Sequence, residues 1–277
     1  VSIKSRLSGE RLMGLVRDMV NLYKHGFKVA LLASLSIGHC LASPSLQESK
    51  IEVQLVTQDF PPFSYQENGI AKGFAVELIQ HNCDLLKWQC QIHFRPWPRA
   101  LNELRAGHFH GAFLMGKNAA REHWLRFSQP VLTTEYGVFV QRSNPLFFRR
   151  GKDLGGYNVA VYGPSNTSLA LKQLIKDDDT IHVSMRPDDI AGFRQLNAGW
   201  VDAVYSNKSV GQAIIHRFNL SLIRYAGADR TLNYYVAFSS THTTEEFVDS
   251  FNTGLQQLIS EGKRDQLMLQ YEISNQP

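Results

Sequence analysis

Apolar and polar residues alternate over 51–57, "IEVQLVT", the signature of a half-buried strand, and "QDFPPFSY" then breaks the pattern with two prolines. "QENG" reads as a turn. From Gly73 onward, "FAVELIQHNCDLL" places Phe74, Leu78, Cys83 and Leu85 on one helical face. "QCQIHF" predicts a second strand, "RALNELRAG" a short helix ending at Gly107, and "GAFLM" a third strand. After Ser128-Gln129-Pro130 comes a long extended run, "VLTTEYGVFVQRS". The alternation then restarts as "YNVAVYG" and "SLALKQLIKD", "TIHVSM" and "DDIAGFRQLNAG", "VDAVYS" and "SVGQAIIHRF", each a strand followed by a helix. "LSLIRY" predicts one more strand and "NYYVAFS" a separate extended segment, before two C-terminal helices.

Strands that alternate with helices predict α/β units on largely parallel sheets. Two such cycles are joined by two extended runs, near 137–142 and 233–239. That arrangement predicts two lobes with a double crossover: residues 43–140 with 233–277 form the first, and 141–232 the second. The two runs are then expected to be crossing hinge strands.

Composition changes this picture little: 277 residues, 43% hydrophobic and 11% aromatic, suit one large domain or two small ones. Charge changes it more. Residues 1–42 hold six basic side chains (Lys4, Arg6, Arg11, Arg17, Lys24, Lys28) against Glu10 and Asp18. Of the chain's 29 basic and 25 acidic residues, that leaves 23 of each for the rest. The surplus belongs to the N-terminal segment, so no nucleic-acid partner is implied.

That segment has the form of an export signal. Lys24, His25 and Lys28 precede "VALLASLSIG", an apolar run too short to span a bilayer, and Cys40-Leu41-Ala42 fits a signal peptidase site with cleavage after Ala42. A lipid-modified Cys40 is the alternative, disfavoured by the bulky His39 before it. Residues 1–18 are too long and mixed for a leader, and Met19 is the better start. Export predicts a periplasmic protein. It also changes how Cys83 and Cys90 read: an isolated even pair in an oxidising compartment is expected to be bridged, as a staple between a helix end and the next strand.

No Ser-His-Asp signature, nucleophile elbow or P-loop glycine pattern is present in the sequence. His108 and His110 stand close, but no third metal ligand sits at a matching spacing, and no cofactor is implied.

The ordered series "PPFSY … NGIAKGFAVELI … WPRALNELRAGHFHGAF … AAREHWLRFSQPV … VAVYGPSN … LNAGWVDAVYSN" resembles the family 3 extracellular solute-binding proteins. The resemblance runs from about Ile51 to Ile273. It implies a type 2 periplasmic-binding fold, two α/β lobes joined by two crossing strands, and no enzymatic activity. It also implies a small ligand bearing a carboxylate, an ABC permease as partner, and a monomer. The Cys83/Cys90 pair is similar in placement to the disulfide of the basic-amino-acid-binding members.

The family's carboxylate-clamping Thr-x-x-Arg corresponds here to "NAAR", which puts Asn118 at the threonine position and Arg121 at the arginine. A planar guanidinium can grip a carboxylate with two parallel hydrogen bonds. Arg126, five residues on, is expected at the surface. Phe60 matches the aromatic that stacks on the ligand. Phe63 beside it fits either pocket or core, and Trp97 either cleft or scaffold. Ser165 and Asn166 in "GPSN" stand near a helix start that favours an anion. Two positions depart from the family. Asn207 replaces the aspartate that pairs with an α-ammonium, and Asp202 matches a structural aspartate instead. Thr57 replaces the acid of the basic-amino-acid receptors, with Asp59 nearby. Enzymes of the same fold, such as cyclohexadienyl dehydratases, need a pocket carboxylic acid, and Asp59 is the sole candidate. A receptor for a membrane signalling protein is the third reading.

Overall fold

The computed structural model describes residues 50–176 and 178–273. The expected leader, its cleavage after Ala42, the alternative at Cys40 and the start at Met19 lie outside these described residues. No helix among the described residues is long and apolar enough to cross a membrane.

β1 (Glu52–Thr57), β4 (Gln89–Phe94) and β5 (Gly111–Gly116) run parallel, with Val53 opposite Cys90 and Leu55 opposite Gly111. β5 is buried at every position, as expected for a central strand covered on both faces. α1 (Phe74–Leu85) buries Phe74, Leu78 and Cys83 of the expected stripe, with Val76 and Ile79 beside them, whereas Leu85 in its last turn is exposed. Gly73 starts it with φ of 117°, and a Cβ there would stand 2.5 Å from the Phe63 carbonyl oxygen, so only glycine fits. A small hairpin of β2 (Tyr65–Glu67) and β3 (Ile70–Lys72) precedes that glycine. α2 (Trp97–Arg105) covers the opposite face of the sheet from α1. Cys83 and Cys90 form a disulfide with Cα atoms 6.1 Å apart, tying the end of α1 to β4.

After the one-turn α3 (Ala119–Glu122) and β6 (Leu125–Phe127), β7 (Leu132–Gln141) leads into the second lobe. There β8 (Asn158–Tyr162) lies parallel between β9 (His182–Arg186) and β10 (Ala203–Asn207). Helices α4 (Asn166–Leu174), α5 (Asp189–Asn197) and α6 (Lys208–Arg217) alternate with these strands. The return strand, β11, runs unbroken from Ile223 to Ser239. Two C-terminal helices, α7 (Glu245–Ser260) and α8 (Lys263–Gln270), pack on α1 of the first lobe.

Strand order across the main sheet is β4-β1-β5-β11-β7-β10-β8-β9, with β6 on β11. β7 and β11 are the two connections. β11 pairs with β7 from Ile223↔Gln141 to Tyr234↔Leu132 and with β5 from Tyr234↔Gly116 to Phe238↔Gly111. Two expectations change. "LSLIRY" and "NYYVAFS" are one strand, because the polar stretch between them is held by its backbone ladder to β7 rather than by side-chain burial. Residues 136–140 already pair with β10, so the first connection crosses before Tyr136 and not at 137–142.

Candidate functional site

The carboxyl ends of β1, β5, β8 and β9 converge on a cleft between the lobes, where open α/β sheets present ligands to loops and helix starts. An inner chamber of about 30 Å³ lies at its floor, lined by Phe60, Trp97, Arg121, Tyr136, Tyr162 and Tyr234 among others. It shares Arg121 and Trp97 with a groove of about 800 Å³, and Phe60 and Tyr162 with a cavity of about 610 Å³ that Asp189 also lines. Two side-chain bonds cross between lobes: Asn118 Nδ2 donates to Asn166 Oδ1 at 2.9 Å, and the Tyr162 hydroxyl donates to Gln58 Oε1 at 3.1 Å. Gly116 admits the first of these, since a Cβ there would come within 2.5 Å of Asn166 Nδ2.

Arg121 is built by its neighbours. Asn118 caps α3, its Oδ1 accepting the Arg121 N–H at 3.0 Å. The guanidinium donates to the Gly116 carbonyl at 2.7 Å and lies 5.6 Å from the centre of the Trp97 ring. It forms no ion pair among the described residues, and burial pulls its pKa down, opposed by the nearby Tyr136 and Tyr234 hydroxyls. The result is a half-buried, oriented cation whose five donors are only partly used.

Phe60 lines the chamber, edge-on to Tyr234 at 6.0 Å. Phe63 does not: it is fully buried behind Phe60, and of its two alternatives the core is what the packing selects. Trp97 lines the cleft and supports Arg121. Ser165 and Asn166 reach the chamber, but the Ser165 hydroxyl serves the junction of β8 and α4, donating to the Tyr162 carbonyl and accepting from Ser168 N–H. Asn207 lines none of these cavities. It caps α6, its Oδ1 accepting from Val210 N–H at 3.2 Å and its Nδ2 donating to Thr134 Oγ1 at 3.0 Å, and its link to the chamber runs through Tyr234.

Thr57 is buried against Ser64 at 3.1 Å, whereas Asp59 faces the 610 Å³ cavity, its carboxyl pushed up by burial. Asp202 accepts the Asn158 N–H at 2.8 Å, a structural task. Arg126 is not a bystander at the surface: it donates to the carbonyls of Ser240 and Thr243 at 2.6 and 3.0 Å, fastening β6 to the turn before α7. His110 Nδ1 accepts the Gln54 N–H at 3.0 Å, and no metal-holding group of three His, Cys, Asp or Glu occurs among the described residues.

The cleft also contains residues that pattern alone did not single out. Tyr136 is hydrogen-bonded to Thr167 and Tyr234, and Tyr234 in turn to Asn207, forming a buried hydroxyl chain on the two connecting strands. Asp189, first residue of α5, sits half-buried on the wall and accepts the Ser206 hydroxyl at 2.6 Å. Burial pushes its carboxyl up to about 6, the Ser206 bond lowers it, and Asp188 raises it. "PDD" before a helix reads as an N-cap, and Asp188 does cap α5; that reading hides its neighbour.

Two α/β lobes joined by two strands around a cleft define a type 2 periplasmic-binding fold. Residues 53–273 match the family described as bacterial extracellular solute-binding proteins, family 3, and the chain belongs to that family. Solved structures agree in fold. A histidine kinase sensor domain similar to periplasmic binding proteins is 20% identical, with a TM-score of 0.72, over 83% of this chain and 98% of its own. A mutant of ArgBP from T. maritima is 21% identical, with a TM-score of 0.70, over 80% and 96%. The ancestral amino-acid-binding protein AncCDT-1, a precursor of cyclohexadienyl dehydratase, is 19% identical, with a TM-score of 0.69, over 79% and 94%. A search of curated proteins finds no match.

Proposed function

We propose that the chain is a periplasmic receptor that closes its two lobes on a small amino-acid-like ligand, the first lobe ending at the crossing before Tyr136 and resuming near Asn233. In this reading the leader is removed after Ala42, and the monomer delivers its ligand to an ABC permease. One observation carries the reading: a preoriented guanidinium, Arg121, stands in a chamber without a carboxylate of its own. Family membership and the amino-acid-binding proteins of the same fold support it. Calorimetry of the exported protein against amino acids and simple carboxylates is the test. Binding that disappears in Arg121→Ala is expected, and unchanged affinity would remove the clamp. Uptake of the bound compound by cells lacking the gene separates import from signalling.

Asp189 favours one competing reading. A cleft carboxyl held near 6 is partly protonated at mildly acidic pH and is suited to donating a proton to a leaving hydroxyl. Turnover of prephenate or arogenate would establish an enzyme of the dehydratase kind.

A further inference from the structure

The groove beside Arg121 differs in chemistry from the rest of the cleft. Helix α2 of the first lobe and α4 with β9 of the second form its walls. Both helices start at the chamber, with Trp97 and Asn166, and both carry a groove-lining cation in the last turn, Arg105 and Lys172. At 1.5 Å of rise per residue those cations stand about 9–12 Å along the helices from the chamber. Between the two ends the walls are apolar. Leu169, Val183 and Met185 of the second lobe are exposed, and they line the groove together with Leu101 and Trp124 of the first.

Arg105, Arg121 and Lys172 line the groove, no aspartate or glutamate among the described residues does, and none of the three cations forms an ion pair there. The 610 Å³ cavity is the reverse: Asp59, Asp188 and Asp189 line it, and its Arg95 is paired with Glu103. Arg121 lines the chamber and the groove but not that cavity. The chamber, at about 30 Å³, has room for about two waters. With the lobes as they stand, a ligand gripped by Arg121 therefore extends into the groove. Exposed apolar walls favour an apolar body there, and unpaired cations at both ends favour an anion at each.

We propose that the groove is a subsite for an elongated dianion with an apolar middle. One carboxylate meets Arg121, an alkyl or aromatic body lies along Leu169, Val183 and Met185, and a second anionic group reaches Arg105 and Lys172. This deepens the proposed receptor function, rests on its Arg121 clamp, and calls for a ligand longer than a simple amino acid.

The test is titration calorimetry at pH 7.5 with succinate, adipate, suberate and sebacate, the straight-chain monocarboxylates of equal length, and the twenty L-amino acids. Affinity for one molecule per chain should rise about twofold to threefold per added methylene, and suberate or sebacate should exceed the matching monoacid about fivefold at low salt. Arg105→Gln and Lys172→Gln, both at exposed positions, should remove the advantage of the diacid and leave the monoacid unchanged. A cation in a last turn also offsets the helix dipole, a role that would not distinguish diacid from monoacid. Leu169→Ser/Met185→Ser should flatten the dependence on length. Affinity that ignores length, a diacid advantage that survives both glutamine variants, or several molecules bound per chain would overturn the subsite. If short acids or amino acids bind through Arg121 while long diacids do not, the receptor reading stands and the subsite alone is wrong. Long-diacid binding that survives Arg121→Ala overturns the clamp and the proposal with it, and a protein that binds no probe overturns both readings.

Discussion

Asn118 and Asn166 join side chain to side chain across the cleft at 2.9 Å, although 48 residues separate them in the chain. Asn118 uses its oxygen to cap the turn that carries Arg121 and its amide nitrogen to reach the second lobe. One side chain thus couples the orientation of the clamp to the closure of the cleft.

Replacing Asn166 by Ala removes the bridge and spares the cap. A net hydrogen bond is worth about 1 kcal/mol, so the ratio of closed to open protein should fall about fivefold without ligand. Small-angle scattering should then show a larger radius for the empty variant and the wild-type radius at saturating ligand. An identical radius in both empty proteins would show that the bridge does not govern closure.

Arg121→Ala leaves a ligand carboxylate enclosed without a partner and should cost about 3–5 kcal/mol of binding, a hundredfold to several-thousandfold in affinity. Arg121→Lys should lose nearly as much, because an ammonium cannot reproduce a two-pronged contact or the stacking over Trp97. The exposed Arg149 is the suitable control, with Arg149→Ala expected to bind normally. Arg126→Ala, by contrast, should lower the melting temperature, since it strands the carbonyls of Ser240 and Thr243.

Asp189 should make the empty protein less stable at neutral pH than at acidic pH. Its carboxyl titrates near 6 in the fold against 3.8 for the ordinary group. Between those values the folded chain holds a proton that the unfolded chain has released, so stability falls as pH rises through that window. Asp189→Asn cannot ionise and should gain about 1–3 kcal/mol at pH 7, a rise of several degrees in melting temperature. The gain should vanish by about pH 4, below the folded titration. Thermal melts of both proteins across pH 4–8 check this; a variant less stable at pH 7 would mean that the carboxylate is paid for by contacts that burial alone does not reveal.

Opening the Cys83–Cys90 bridge should destabilise the first lobe by about 2 kcal/mol, the chain-entropy value for so small a loop. The bridge lies at the far end of β4 from the cleft, so binding should persist after reduction. Melting curves with and without reductant, each paired with a titration, separate the two effects.

What was legible in the sequence was whatever depends on local pattern. The two cycles of strand and helix, the buried stripe of α1 and the cysteine pair follow from spacing and residue type. So does the order of segments that marks the family, and it placed Arg121 and Asn118 together because three residues of one turn set their geometry. The rest required the third dimension. A polar stretch such as 227–233 becomes strand only because β7 lies beside it to complete its hydrogen bonds. Asn207 and Asp189 show the same limit at the site. Each stands at a helix start, and which one faces the cleft depends on what the neighbouring strands offer: Thr134 draws Asn207 inward, while Ser206 leaves Asp189 an oxygen to spare. Residue type announces a capacity to bind, but the partners that use up or leave that capacity are assembled from distant parts of the chain.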